Sequence, residues 1–292
     1  MNTFLDLPSN LSTYATARFV VIPFPLEATT SYGKGTRYGP AAVLKASSQV
    51  ELWDEELWCD PSRAGIATLP MPKVKKRHED ALEQLAELTE HVYQDGKFPI
   101  VIGGEHSLTS GSLMGMLRAK QPTKPVTIFH FDAHADLRDE WEGSKNSHAC
   151  ALRRAFELSP LLNLVQVGIR NISESEVQFW EEHNATGRIK TFFAKDRSRW
   201  NINDMIAACK DMVYITFDID VLDPSIMPST GTPEPGGLLW DETLDIFRAL
   251  TKERSIVGAD FNEFLPIANF PAPDFLGAKL IYKFISYICK ST

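Results

Sequence analysis

Three short segments of the 292-residue chain carry side chains of the kind that hold divalent metal ions. Gly103-Gly104-Glu105-His106-Ser107 presents an imidazole after paired glycines, which let a backbone turn sharply and approach a ligand closely. Asp132-Ala133-His134-Ala135-Asp136 places two carboxylates and an imidazole at alternate positions, which share one face if the segment is extended. Asp218-Ile219-Asp220 repeats the carboxylate spacing. Each has a bland reading when taken alone. A histidine in a glycine-rich turn is more often structural, aspartates often cap a following helix, and a lone D-x-D is common. Asp223, which precedes Pro224, reads as a turn residue. Taken together, His106, Asp132, His134, Asp136, Asp218 and Asp220 make an oxygen-rich set with two imidazoles and no thiolate. Such a set suits hard or borderline ions and argues against structural zinc. Four carboxylates confined without a cation would repel one another and take up protons. One divalent ion would leave net negative charge, whereas two would balance the four.

Elements that could gather these segments are legible in the hydrophobic pattern. Short apolar, β-rich runs at 18–23, 64–68, 98–102, 126–131, 162–168, 189–193, 212–217 and 255–259 fit strands buried on both faces. Helical patterns alternate with them at 78–93, 107–120, 147–157, 173–184, 241–252 and 271–290. The first of these places Leu82, Leu85, Leu88 and Val92 on one side. This alternation predicts an α/β fold: a three-layer α-β-α sandwich on a mostly parallel sheet of about eight strands, formed by residues 1–292 as one unit. Ligands of such sheets bind beyond the carboxyl ends of the strands. His106, Asp132 to Asp136, Asp218 to Asp220 and Glu263 each follow a strand, so the rule brings them to one edge. Asp260, also at a strand end, reads as structural.

Composition removes other classes. The net charge of −8 argues against nucleic-acid binding. Cys59, Cys150, Cys209 and Cys289 are scattered with no C-x-x-C pair, which fits a reducing compartment better than a disulfide framework. The beginning MNTFLDLPSN lacks the features of a signal peptide, and no apolar run reaches the ~20 residues of a membrane span. A cytoplasmic protein is expected.

GGEHS, DAHADLRD and DIDVLDPS, in this order, resemble the signature segments of the ureohydrolases, the family of arginase and agmatinase. The resemblance covers most of the chain, extending to IPFPLEATTSYGKGTRYGPAAVLKAS, to SHA at 147–149, to GTPEPGGL at 231–238 and to ADFNEFLP at 259–266. It implies an arginase-like fold and two Mn²⁺ per chain, with other divalent ions compatible. One ion would be held by His106, Asp132, Asp136 and Asp218, the other by His134, Asp132, Asp218 and Asp220. It further implies that His148 shuttles a proton, that Glu263 holds the guanidinium, and that these two and Asp136 form the catalytic set. Thr232 would support Glu263 by a hydrogen bond. Metal binding lowers the pKa of water from ~15.7 towards ~7, so that a guanidinium carbon, a poor electrophile, can be attacked and urea released. A homo-trimer or homo-hexamer is implied by the resemblance alone.

The substrate is the least determined part. Arginases resemble one another in an Asn two residues past the last aspartate of the metal segment; here Arg138 stands at that place, in DLRDEWEGSKNSHA, which looks more like bacterial and archaeal agmatinases. Arg138 is expected to pair with Asp139 or Glu142, or alternatively to bind the carboxylate of a guanidino acid. Agmatine, giving putrescine and urea, is the first expectation, a guanidino acid the second and arginine the third. Competing classes are a single-metal deacetylase and a non-catalytic scaffold on the same architecture.

Overall fold

A computed structural model describes residues 2–291. Eight strands form one sheet: β1 (Phe19–Phe24), β2 (Ile66–Thr68), β3 (Phe98–Gly103), β4 (Val126–Phe131), β5 (Leu162–Val167), β6 (Ile189–Phe192), β7 (Met212–Asp218) and β8 (Ser255–Asn262). Their order is β2-β1-β3-β8-β7-β4-β5-β6, and every pairing is parallel. The sheet is thus wholly rather than mostly parallel. All eight expected strands are present. The last is three residues longer than its apolar run, because Asp260 and Asn262 continue the pairing with β7 while Asp260 accepts from Tyr214, Thr216 and the Asn262 side-chain N–H inside the protein.

Among the described residues, nine α-helices accompany the strands: α1 (Ser9–Ser12), α2 (Gly39–Ser47), α3 (His78–Gln94), α4 (Leu108–Lys120), α5 (Ala151–Glu157), α6 (Glu174–Ala185), α7 (Ile202–Ala208), α8 (Trp240–Glu253) and α9 (Ala272–Lys290). In α3, Leu82, Leu85 and Val92 are buried and Leu88 is half-buried, as their spacing requires. The helix expected from 147 begins instead as a 3-10 turn, His148–Cys150, before α5. The short helices α1, α2 and α7 were not expected: they give too few turns for a periodic apolar stripe.

Strand side chains alternate between two apolar layers. Phe19 and Val21 face a cluster with Phe247, Leu280 and Phe284 of α8 and α9, while Val20, Ile22 and Phe24 face Leu82 and Leu85 of α3. On that second side Ile128 and Tyr214 pack with Leu113 of α4 and Leu152 of α5. The sheet is therefore covered on both faces. The chain builds β2-β1-β3, crosses to β4 and returns through β7 and β8 to fill the gap. The reversal puts the carboxyl ends of β3, β8, β7 and β4 side by side, where an open α/β sheet places its ligands.

Candidate metal centre and active site

Those four adjacent strand ends deliver the candidate residues. Beyond β3, Gly104 has no room for a side chain, which would collide with the Leu26 carbonyl, and His106 follows in the turn. The His106 Nδ1 lies 3.1 Å from Asp132 Oδ2, 3.3 Å from Asp136 Oδ2 and 3.3 Å from Asp218 Oδ2. It is buried yet makes a directed hydrogen bond to none of them. A second group lies alongside: His134 Nδ1 is 2.9 Å from Asp220 Oδ2 and 3.5 Å from Asp132 Oδ1. Asp132, wholly buried, has one oxygen in each group.

Asp132 to Asp136 does not continue the β4 strand as an extended ligand ribbon. His134 forms an isolated bridge with Asn171, and Asp136 turns through the left-handed region at φ 52°. That turn lets Asp136 face His106 while His134 faces Asp220. Glu263 is likewise left-handed at φ 62°. Non-glycine residues held there cost of order 1–3 kcal/mol each and tend to collect at functional sites.

Electrostatics test whether the set suits cations. Burial, with repulsion from Asp220 and Asp132, pushes Asp218 well above the carboxylate range; burial and Asp132 also raise Asp220. Burial alone would lower the histidines, but Asp132, Asp136 and Asp218 hold His106 well above its usual value, and Asp220 and Asp132 bring His134 up to about 12. Asp132 goes the other way: burial would raise it, but His130, His106 and His134 hold it well below its usual value. The cluster thus draws protons onto imidazoles surrounded by carboxylate oxygens, positions that divalent cations can take instead. Ligand atoms on neighbouring corners of an octahedron of radius about 2.1 Å stand about 3.0 Å apart, close to the spacings around His106. The residues fit two metal ions.

The surroundings hold these groups in orientation. His106 Nε2 is 2.8 Å from Thr216 Oγ1, which donates to Asp260 Oδ1 at 2.6 Å. Asp260 also accepts from Tyr214 and Thr109, consistent with the structural role expected of it. His130, within β4, was not expected at the site. Its Nε2 is 2.7 Å from Asp132 Oδ2, and Gln166 packs on its other nitrogen at 3.2 Å. The signal was its position two residues before Asp132, on the same side of a strand. Asp223 is a turn residue as expected, accepting from the backbone N–H groups of Ser225, Gly236 and Gly237.

A pocket opens above this cluster, lined by His134, Asp136, Arg138, Trp141, His148, Thr232 and Glu263 among others. His148 Nδ1 lies 3.5 Å from Glu263 Oε1, and the same oxygen accepts from the His106 backbone N–H at 2.7 Å. Burial would lower His148, but Glu263 beside it raises it to about 9. Burial raises Glu263 in turn. Two expectations fail here. Thr232 lines the pocket, but no Thr232–Glu263 hydrogen bond is present; the donor on Glu263 is the His106 amide. Arg138 pairs with neither Asp139 nor Glu142. Asp139 is taken by Arg154 at 2.8 Å, with Lys145 and Arg153 nearby, while the Arg138 guanidinium lies over the Trp141 ring, 4.1 Å from its centroid.

Comparison with known proteins agrees with this architecture. The N(1)-aminopropylagmatine ureohydrolase of Synechocystis sp. is 41% identical over 288 residues, covering 95% of this chain and 91% of that protein. The agmatinase of Bacillus subtilis is 31% identical, covering 85% and 83%. Among solved structures, the agmatine ureohydrolase of Thermoplasma volcanium matches with a TM-score of 0.85 and 29% identity, covering 99% of this chain and 94% of that one. The family model described as "Arginase family" matches residues 17–286, and the chain belongs to that family.

Proposed function

We propose that the protein hydrolyses a linear guanidino-amine of the agmatine type, releasing urea and the corresponding amine. The observation that carries this reading is the convergence in one pocket of the two-group metal cluster with the His148–Glu263 pair. His106, Asp132, Asp136 and Asp218 would hold one ion and His134, Asp132, Asp218 and Asp220 the other, with manganese the metal of choice. When bound, the ions supply a water acidified towards neutral pKa.

The chain's own residues do the rest. Glu263, fixed by the His106 N–H, offers its carboxylate to the guanidinium, which can present two parallel N–H donors. Held in this plane, the carbon faces the cluster. His148 lies 3.5 Å from the Glu263 carboxylate, which favours its protonated form, and it can hand its proton to the departing nitrogen. The C–N bond then breaks towards a neutral amine rather than an amide anion.

Agmatine and N(1)-aminopropylagmatine both satisfy this chemistry. The aminopropyl derivative is supported by the name of the Synechocystis relative, whose match spans nearly the whole chain. A second reading, a guanidino acid, is favoured by Arg138, whose guanidinium lines the pocket and stacks on Trp141 without a carboxylate partner among the described residues. Steady-state rates on agmatine, N(1)-aminopropylagmatine, guanidinobutyrate and arginine separate these. The expected order places one of the two amines at least tenfold above both acids in kcat/KM. Preference for guanidinobutyrate would overturn the first reading in favour of the second.

A further inference from the structure

The segment before α2 reaches the pocket, which Ser31 helps line, and one buried carboxylate ties it down. Glu105 is 0% exposed. Its Oε2 accepts the backbone N–H groups of Ala28 and Thr29 at 2.5 and 2.6 Å. Its Oε1 accepts the Thr29 hydroxyl at 2.7 Å and the Ser107 hydroxyl at 2.6 Å. Ser107 in turn meets His78 Nε2 at 2.9 Å, at the start of α3. The adjoining backbone is held as well: Gly104 and Glu105 donate to the carbonyls of Phe24 and Leu26 at 3.1 and 2.8 Å.

Thr29 passes this order on. Its Oγ1, having donated its one hydrogen to Glu105, accepts the backbone N–H of His148 at 2.9 Å. His148 opens the 3-10 turn preceding α5, so its amide is an unsatisfied helix-start donor that the preceding Ser147 side chain does not cap. Thr29 supplies the missing acceptor from 119 residues away. The turn after β3 therefore fixes both halves of the His148–Glu263 pair. The His106 amide holds the carboxylate, and Glu105, through Thr29, holds the backbone that carries the imidazole.

We propose that Thr29 is a positioning residue for His148, with Glu105 as its anchor, so that proton delivery to the leaving nitrogen depends on the Glu105–Thr29–His148 relay. This rests on the reading of His148 as the proton donor. A donor displaced by about 1 Å can cost on the order of 100-fold in rate, while the groups that bind the guanidinium stay in place.

The test compares Thr29→Val, Thr29→Ser and His148→Asn in the full-length, manganese-loaded enzyme. Thr29→Val keeps the shape and removes both the acceptor and the hydroxyl donor. It is expected to lower kcat about 10- to 100-fold with KM changed less than threefold, and to speed hydrogen exchange of the His148 amide while metal content and Tm stay near wild type. Thr29→Ser, which retains the hydroxyl, is expected to restore kcat and amide protection. If Thr29→Val folds poorly, recovery of both by Thr29→Ser against their joint loss in Thr29→Ala gives the same reading. Unchanged kcat and unchanged His148 exchange in Thr29→Val would overturn the relay. Normal turnover by His148→Asn would instead remove the donor role itself, and loss of turnover in His148→Asn with none in Thr29→Val would leave the donor standing and reject the positioning residue.

Discussion

His106 has one ring nitrogen for the cluster and one for the protein. The Thr216 hydroxyl stands 2.8 Å from Nε2 and passes its own hydrogen to Asp260, which fixes the tautomer that leaves Nδ1 facing the carboxylates. Replacing Thr216 with Val should weaken metal affinity about 10- to 100-fold, read by titrating metal into the stripped protein. His148→Asn should reduce kcat by about 10²- to 10⁴-fold, the usual contribution of a positioned general acid, in a urea-release assay with agmatine. Arg138→Ala discriminates between substrates. If the arginine repels an amine terminus, the variant gains on the amines; if it holds a carboxylate, it loses guanidinobutyrate turnover at least tenfold. Five of the six cluster residues were legible because their types recur at alternating positions after apolar runs, and His106 because it follows paired glycines at a strand end. His130, Thr29 and Glu105 were not: His130 looks like one more strand residue, and hydrogen bonds spanning 76 and 119 residues leave no local trace. The partner of Arg138 was misjudged for a related reason, since Arg154, fifteen residues on, takes Asp139 first.

Among the elements, α9 shows how strongly a helix can be tied by charge. Lys283, only 1% exposed, reaches Asp54 at 3.0 and 3.1 Å and Glu56 at 3.0 Å in the segment that follows α2. Glu56 also accepts from Tyr287 and Arg248. Lys283→Met would leave buried Asp54 without its cation, and should destabilise the fold by about 3–5 kcal/mol in chemical denaturation. Burial would raise Glu56, but Arg248, Tyr287 and Lys283 bring it down to about 2. Its contribution is therefore complete above its unfolded value of about 4.3 and is lost as the pH falls through about 2. Glu56→Gln should accordingly be less stable than wild type at pH 7, with the gap closing between those two values when stability is followed against pH. The strands themselves were readable because double-sided burial leaves unbroken apolar runs; α2 and α7 were not, because helices of nine and seven residues hold too little periodicity to register.

For the whole molecule, metal and fold should be linked. Chelation ought to abolish urea release and lower Tm, since ions that bind only the folded cluster stabilise it by mass action. Elemental analysis of the reloaded protein should return two ions per chain, and Tm should rise with added manganese. One ion at full activity would reject the paired site. Parallel order across the sheet followed from strand–helix alternation, but the position of β8 between β3 and β7 did not, because nothing in a buried strand's sequence names its neighbours.

That position bears on the order in which the protein can be made. The strands leave the ribosome as β1, β2, β3 and then β4 to β7, yet within the sheet the two groups are joined only through β8, which begins at Ser255. Until it is synthesised, His106 belongs to one half-sheet and the aspartates to the other. All six cluster residues can be outside the tunnel before the strand that joins their two halves of the sheet is in place. Nascent chains stalled before residue 255 should therefore gain no protease resistance from manganese, whereas released full-length chains should. Metal capture is in this sense a signal that β8 has been made and has joined the two halves of the sheet.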